Sequence, residues 1–159
     1  MAFWLFKSDP ESYSFGHLLA ERGRSTGWSG VRNYQARNWL RDTIGKGDQV
    51  LIYHSGLEPA IAGIAEVTKA GHPDPTALDP NDDHFDPKSE SANPIWYQVT
   101  IKALRAIKPP LPLALLRTIP ELANMELLRK GSRLSIQPVS ETEWLAIEKL
   151  AKVTSAKKG

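Results

Sequence analysis

The chain of 159 residues contains no cysteine. That excludes disulfides, thiolate zinc sites and cysteine nucleophiles, and it fits a cytosolic setting. No apolar run approaches the roughly 20 residues that a membrane span needs. The opening stretch, MAFWLFKSDP, lacks a basic segment followed by a long apolar one, so it reads as a strand and not as a signal peptide. A short chain with no N-terminal extension carries the expectation of a stand-alone protein of the bacterial cytoplasm. Net charge is only +2, too little to announce a nucleic-acid partner by itself. Also absent are G-x-S-x-G, the P-loop, G-x-G-x-x-G and H-E-x-x-H. In YHSG, His54 and Ser55 are strand neighbours that point to opposite faces, so they form no nucleophile–base pair. NDDHFD (81–86) lacks the spacing and the glycine of a calcium loop. No catalytic residue, metal site or cofactor is therefore assigned.

What is present is an ordinary globular balance. With 41% hydrophobic and 24% charged residues, a chain of this length makes one domain with a real core. Charge is unevenly spread. Over 21–46, Arg22, Arg24, Arg32, Arg37, Arg41 and Lys46 stand against Glu21 and Asp42. Over 71–90, Asp74, Asp79, Asp82, Asp83, Asp86 and Glu90 stand against Lys88. A basic sector and an acidic loop can focus a field without much net charge; two solvated faces are the plainer reading.

Along the chain, FWLFKS (3–8) is strand-like and stops at Asp9-Pro10. Ser14 caps a short helix that ends near Gly23. Asn33 caps a second helix from Tyr34 to about Ile44, with Ala36, Trp39, Leu40 and Ile44 on its buried face. Strands follow at 49–55 and 60–70, where Gly63 leaves room for a backbone or a ligand. Residues 71–94 form a long loop rich in Pro and Asp, of the kind that is usually functional. A long strand covers 95–107. Short helices are expected at 113–118 and in ELANMELLRK, and a strand at 133–140. A last helix opens with the capping box Ser140–Glu143. Residues 1–152 form one domain, and 153–159 are expected to be a disordered basic tail. The order β-α-α-β-β-loop-β-α-β-α indicates an α+β fold with a curved mixed or antiparallel sheet.

Trp28 stands apart from the other tryptophans. Trp4, Trp39 and Trp144 fall on core stripes, whereas Trp28 sits in a Gly- and Ser-containing connection, GWSGVRN. A base pocket needs a flat π face, polar groups at the base edge and cations for phosphate. Trp28 offers the face. Ser8, Asn33, His54 and Ser55 are candidates for the edge. Lys7, Arg32, Arg37, Arg41 and Arg133 are candidates for phosphate contacts. Each has a plainer alternative: Ser8 as a turn residue, Asn33 as a helix cap, His54 as a satisfied buried histidine. If Trp28 lines a pocket, Trp28→Ala is expected to leave the fold intact.

The blocks FWLFKSDPESYSF, WSGVRNYQARNWLRD, GDQVLIYHSG, GIAEVTKAGHPDPTALDP, NPIWYQV and ELANMELLRKGSRLSIQPVSETEW resemble, in order, those of the EVE domain family across residues 3–151. Asp9 stands where a glutamate is usual. The resemblance implies a PUA-like fold, a small curved mixed β-barrel of five to six strands with flanking helices. It also implies a non-enzymatic module that binds DNA or RNA through a modified base, notably a modified cytosine; a monomer is expected. EVE domains in turn look like YTH domains, which hold methylated adenine in an aromatic cage. Trp28 matches the cage tryptophan after the first helix. No tryptophan falls within 68–94, where the second would stand, which leaves Phe85 or Pro87 for that side. Two alternatives remain: an enzyme acting on a modified nucleotide through His54, and a protein-interaction module built on the 71–94 loop.

Overall fold

The computed structural model describes residues 1–158, with side chains through Ser155. Its elements are β1 (Phe3–Ser8), α1 (Phe15–Ala20), β2 (Ser25–Gly27), α2 (Tyr34–Asp42), β3 (Gln49–His54), β4 (Ala60–Pro73), β5 (Tyr97–Pro112), α3 (Leu113–Leu116), β6 (Ile136–Val139) and α4 (Glu141–Lys158). The strands form one six-stranded sheet in the order β2-β5-β4-β3-β1-β6. β1 runs parallel to β3, and every other pair is antiparallel. β2 and β6 are left as the two edges, so the expected barrel is a sheet that does not close through hydrogen bonds.

Alternation along β1 decides where the core lies. Trp4 and Phe6 project to one face, where α1 and α2 add Phe15, Leu18, Ala36 and Leu40. Leu5 projects to the other, where α3 and α4 add Leu116, Trp144 and Ile147. The helix starts match the caps read from sequence. Ser14 Oγ accepts from His17 N at 3.0 Å, and Asn33 Oδ1 accepts from Ala36 N at 3.0 Å. Ser140 and Glu143 close their capping box in both directions, at 2.9 and 3.1 Å.

Four differences from the sequence reading have physical causes. β2 has no apolar alternation, and it exists because Ser25–Gly27 pairs with Thr100–Lys102 of β5. β5 runs beyond Ile107 to Pro112, since past Lys102 only β4 pairs with it and its other edge tolerates proline. ELANMELLRK forms no α-helix. It contributes 3-10 turns at Pro120–Leu122 and Glu126–Leu128, seating Leu122, Met125 and Leu127 at a spacing no α-helical stripe would give. The helix α4 continues through the segment drawn as a tail to Lys158.

Candidate functional site

The open seam of the sheet holds a pocket. It is lined by Lys7, Ser8 and Asp9 at the end of β1, by Ser12 and Tyr13, by Thr26 and Gly27 of β2, by Trp28–Arg32, and by His84 and Ser135. Both edges therefore contribute: β2 from one side, and β1 with the residue before β6 from the other. The pocket's volume is about 420 Å³, within the roughly 300–1,000 Å³ usual for small-molecule sites. Depressions of about 490, 480 and 470 Å³ lie at β5–α4, beside His54, and along α4, but none has an aromatic ring in its lining except that of His54.

Trp28 is both core and wall. The residue is 8% exposed, and its ring packs at 5.4 Å on Phe6 and meets Tyr13 edge-on at 6.1 Å. Its backbone N–H donates to Val99 O at 2.8 Å, which continues the β2–β5 ladder. What remains open faces the pocket. Tyr13 donates its hydroxyl to Glu21 at 3.1 Å. Burial pushes its phenol up to about 12 against a lowering hydrogen bond with Thr26, with smaller raising contributions from the Glu21 hydrogen bond and charge, so it stays protonated.

At the base-edge side, Ser8 Oγ donates to Tyr13 O at 2.6 Å and keeps lone pairs to accept from a ligand. Lys7 is half-buried. Burial pushes its ammonium below the usual lysine range, partly offset by Glu126. It takes part in none of the ion pairs among the described residues. A partly desolvated cation in no direct ion pair is suited to an anion or to an acceptor on a base.

Arg32 lines the pocket too, but its donors are spent inside the protein. Nε and one terminal nitrogen donate to His84 O at 3.2 and 2.7 Å. The latter nitrogen also reaches Thr76 Oγ1 at 3.2 Å. The other terminal nitrogen donates to Val31 O and Asp74 Oδ2, each at 3.0 Å. Those contacts match the five N–H bonds of a guanidinium. Asp74 is buried and also accepts from Gly30 N at 2.8 Å and from Thr76 N and Oγ1 at 2.8 and 2.7 Å. Burial pushes its carboxyl up, but the hydrogen bonds from Thr76, Gly30 and Arg32 outweigh that and hold it below the usual range.

The remaining candidates lie outside the pocket lining. Asn33 is occupied as the α2 cap. His54 Nε2 accepts from Phe15 N at 2.9 Å and so caps α1 from across the sheet. Burial pushes its imidazole down, which keeps that lone pair available. Ser55 N donates to Ser8 O at 2.9 Å, holding the pocket's Ser8 from behind. Arg37 donates to Asn38 and Ile95 O and covers the Tyr34 ring at 5.1 Å. Arg41 pairs with Asp42 at the surface, at 2.7 Å. Arg133 and Pro87 are exposed, and Phe85 is 38% exposed. Tyr13, Ser12, Thr26, His84 and Ser135 escaped the sequence reading. Only the first two had a signal, as neighbours of Ser8 in one turn. Among the described residues no group of three or more His, Asp or Glu side chains is arranged to hold a metal.

A mixed sheet left open at one seam, with helices on both faces and an aromatic pocket in the seam, is an α+β domain of the PUA-like class. Residues 2–150 match the EVE domain, and the chain belongs to that family. Thymocyte nuclear protein 1 of Homo sapiens is 39% identical over 159 residues, covering 89% of this chain and 70% of that one. A crystal structure from Pseudomonas syringae superposes with a TM-score of 0.89 at 42% identity, over 94% of this chain and 99% of that one. Human THYN1 protein, solved in complex with 5-methylcytosine-containing DNA, superposes with a TM-score of 0.88 at 38% identity, over 95% of this chain and 98% of that one.

Proposed function

We propose that this chain is a non-enzymatic reader that takes a modified base of a nucleic acid, foremost a modified cytosine of DNA, into the Trp28 pocket. The observation that carries the reading is the combination in one seam of an aromatic wall, hydroxyl acceptors and the Lys7 ammonium, which makes no ion pair among the described residues. The human relative's complex with 5-methylcytosine-containing DNA supports the ligand class. Extruding a base costs a few kcal/mol. Stacking contributes about 1–3 kcal/mol, and edge hydrogen bonds accepted by Ser8 and donated by Lys7 offset the rest. The Phe15 amide holds the His54 lone pair, which argues against that histidine acting as a base.

The test is a titration against DNA and RNA oligonucleotides that differ only in one cytosine or adenine modification. One modified base is expected to bind tighter than its unmodified parent, and Lys7→Ala is expected to weaken that complex. Equal affinity for every oligonucleotide would sink the reading.

A further inference from the structure

The 74–94 loop meets the pocket through one side chain, His84. The residue is held at three points, two of them on its ring. The tip rests on Gly30, where a Cβ would lie 2.9 Å from Nε2 and 3.0 Å from Cε1; Gly30 also has φ +81°. Asp82 Oδ1 lies 3.2 Å from Nδ1 and accepts from the His84 backbone N–H at 2.8 Å. The His84 carbonyl is gripped twice by Arg32, which is itself locked to the buried Asp74. The side chain remains 51% exposed, so one ring is placed against the pocket and left accessible. Imidazole rings are among the planes on which bases stack.

We propose that His84 is the second wall of the base pocket, and that Arg32 is a positioning residue that docks it there rather than a phosphate ligand. The proposal rests on the reading that the pocket takes a base. It gives the acidic loop a role beyond charge. The basic and acidic segments are complementary so that Arg32 and Asp74 can fasten the loop to the rim, and the fastening delivers an aromatic ring two residues from Trp28 in the Gly30 hollow. Phe85, next in sequence, stays outside the lining. A guanidinium with every donor satisfied has nothing left to offer a phosphate.

The experiment measures binding of the full chain to one oligonucleotide carrying 5-methylcytosine and to its unmodified parent, each over a salt series. His84→Ala is expected to cost about tenfold in affinity for the modified oligonucleotide, with the salt dependence unchanged. His84→Phe is expected to retain the affinity. Arg32→Lys keeps the charge but loses the fork; it is expected to show the His84→Ala loss at an unchanged salt slope. Full modified-base affinity in His84→Ala, while Lys7→Ala weakens binding, overturns the proposal and leaves the pocket reading standing. Retained affinity in Arg32→Lys, with a salt slope reduced by about one in Arg32→Ala, makes Arg32 a phosphate ligand and also overturns it. If Lys7→Ala and Trp28→Phe leave binding untouched as well, the pocket reading itself fails.

Discussion

Asp48 ties the chain start to the turn before β3. It is buried, and its carboxylate accepts from Ala2 N at 2.9 Å, Trp4 Nε1 at 3.0 Å and Gly45 N at 2.9 Å. Asp48→Ala strands the buried Trp4 donor, at about 1–3 kcal/mol, and frees the part-buried Ala2 and Gly45 amides at a smaller cost each. We expect a fall in Tm of roughly 6 °C, at about 2–4 °C per kcal/mol for a chain of this size. Trp28 is judged at the same scale. Its packing on Phe6 and Tyr13 means that Trp28→Ala removes core as well as wall, at about 3–5 kcal/mol. The expectation that this variant leaves the fold intact therefore gives way. Trp28→Phe is the informative change: a thermal melt close to the parent's, with weakened modified-base binding. Sequence singled out Trp28 by its place in a connection, Ser8 by its place at a strand end and Lys7 by its charge, and all three line the pocket. It could not place Arg32, whose partners Asp74, Thr76 and His84 are about 40 to 50 residues away.

Among the elements, close approach sets the glycines' roles. A Cβ on Gly63 would strike the Phe15 ring, so the space noted in β4 is filled by α1 and not by a ligand. A Cβ on Gly71 would strike the Leu40 carbonyl and sit 2.9 Å from that of Arg41, the backbone of α2. Backbone cannot swing aside as a side chain does. Gly71→Ala is expected to push α2 off β4 at a cost of about 1–3 kcal/mol, read by chemical denaturation. The β2 strand is the element on which the pocket depends most, since Thr26, Gly27 and the following tryptophan all take their places from its pairing with β5. Nothing in STG announces a strand; its backbone hydrogen bonds to Thr100–Lys102 make it one.

For the whole molecule, the half-buried His54 and the buried Asp74 each contribute to the response to acid. His54 has its pKa lowered by burial, so the unfolded chain binds its proton first as pH falls. Its contribution is complete above its ordinary value near 6.5 and is lost as pH drops from there through the lower folded value. Protonation also removes the lone pair that caps α1. Asp74 acts lower down. Its contribution is present above its ordinary value of 3.8 and is lost as pH falls through its depressed folded value. Melts from pH 8 to 3 are expected to decline in two stages, and His54→Gln is expected to flatten the upper one. A flat melting profile between pH 7 and 5 in the parent would contradict this assignment.

The division between sequence and tertiary structure follows the range of the forces involved. Sequence alone determined the caps at Ser14, Asn33 and Ser140, the alternation that sends Trp4 and Phe6 to one face and Leu5 to the other, and most strand cores. Those depend on neighbours within a turn or on a period of two. Only the folded chain decided that the sheet stays open between β2 and β6. The same holds for the docking of the acidic loop on the basic connection, and for His84 rather than Phe85 or Pro87 standing at the pocket. These rest on contacts between residues tens of positions apart, where burial and satisfied hydrogen bonds, and not local pattern, choose the partners.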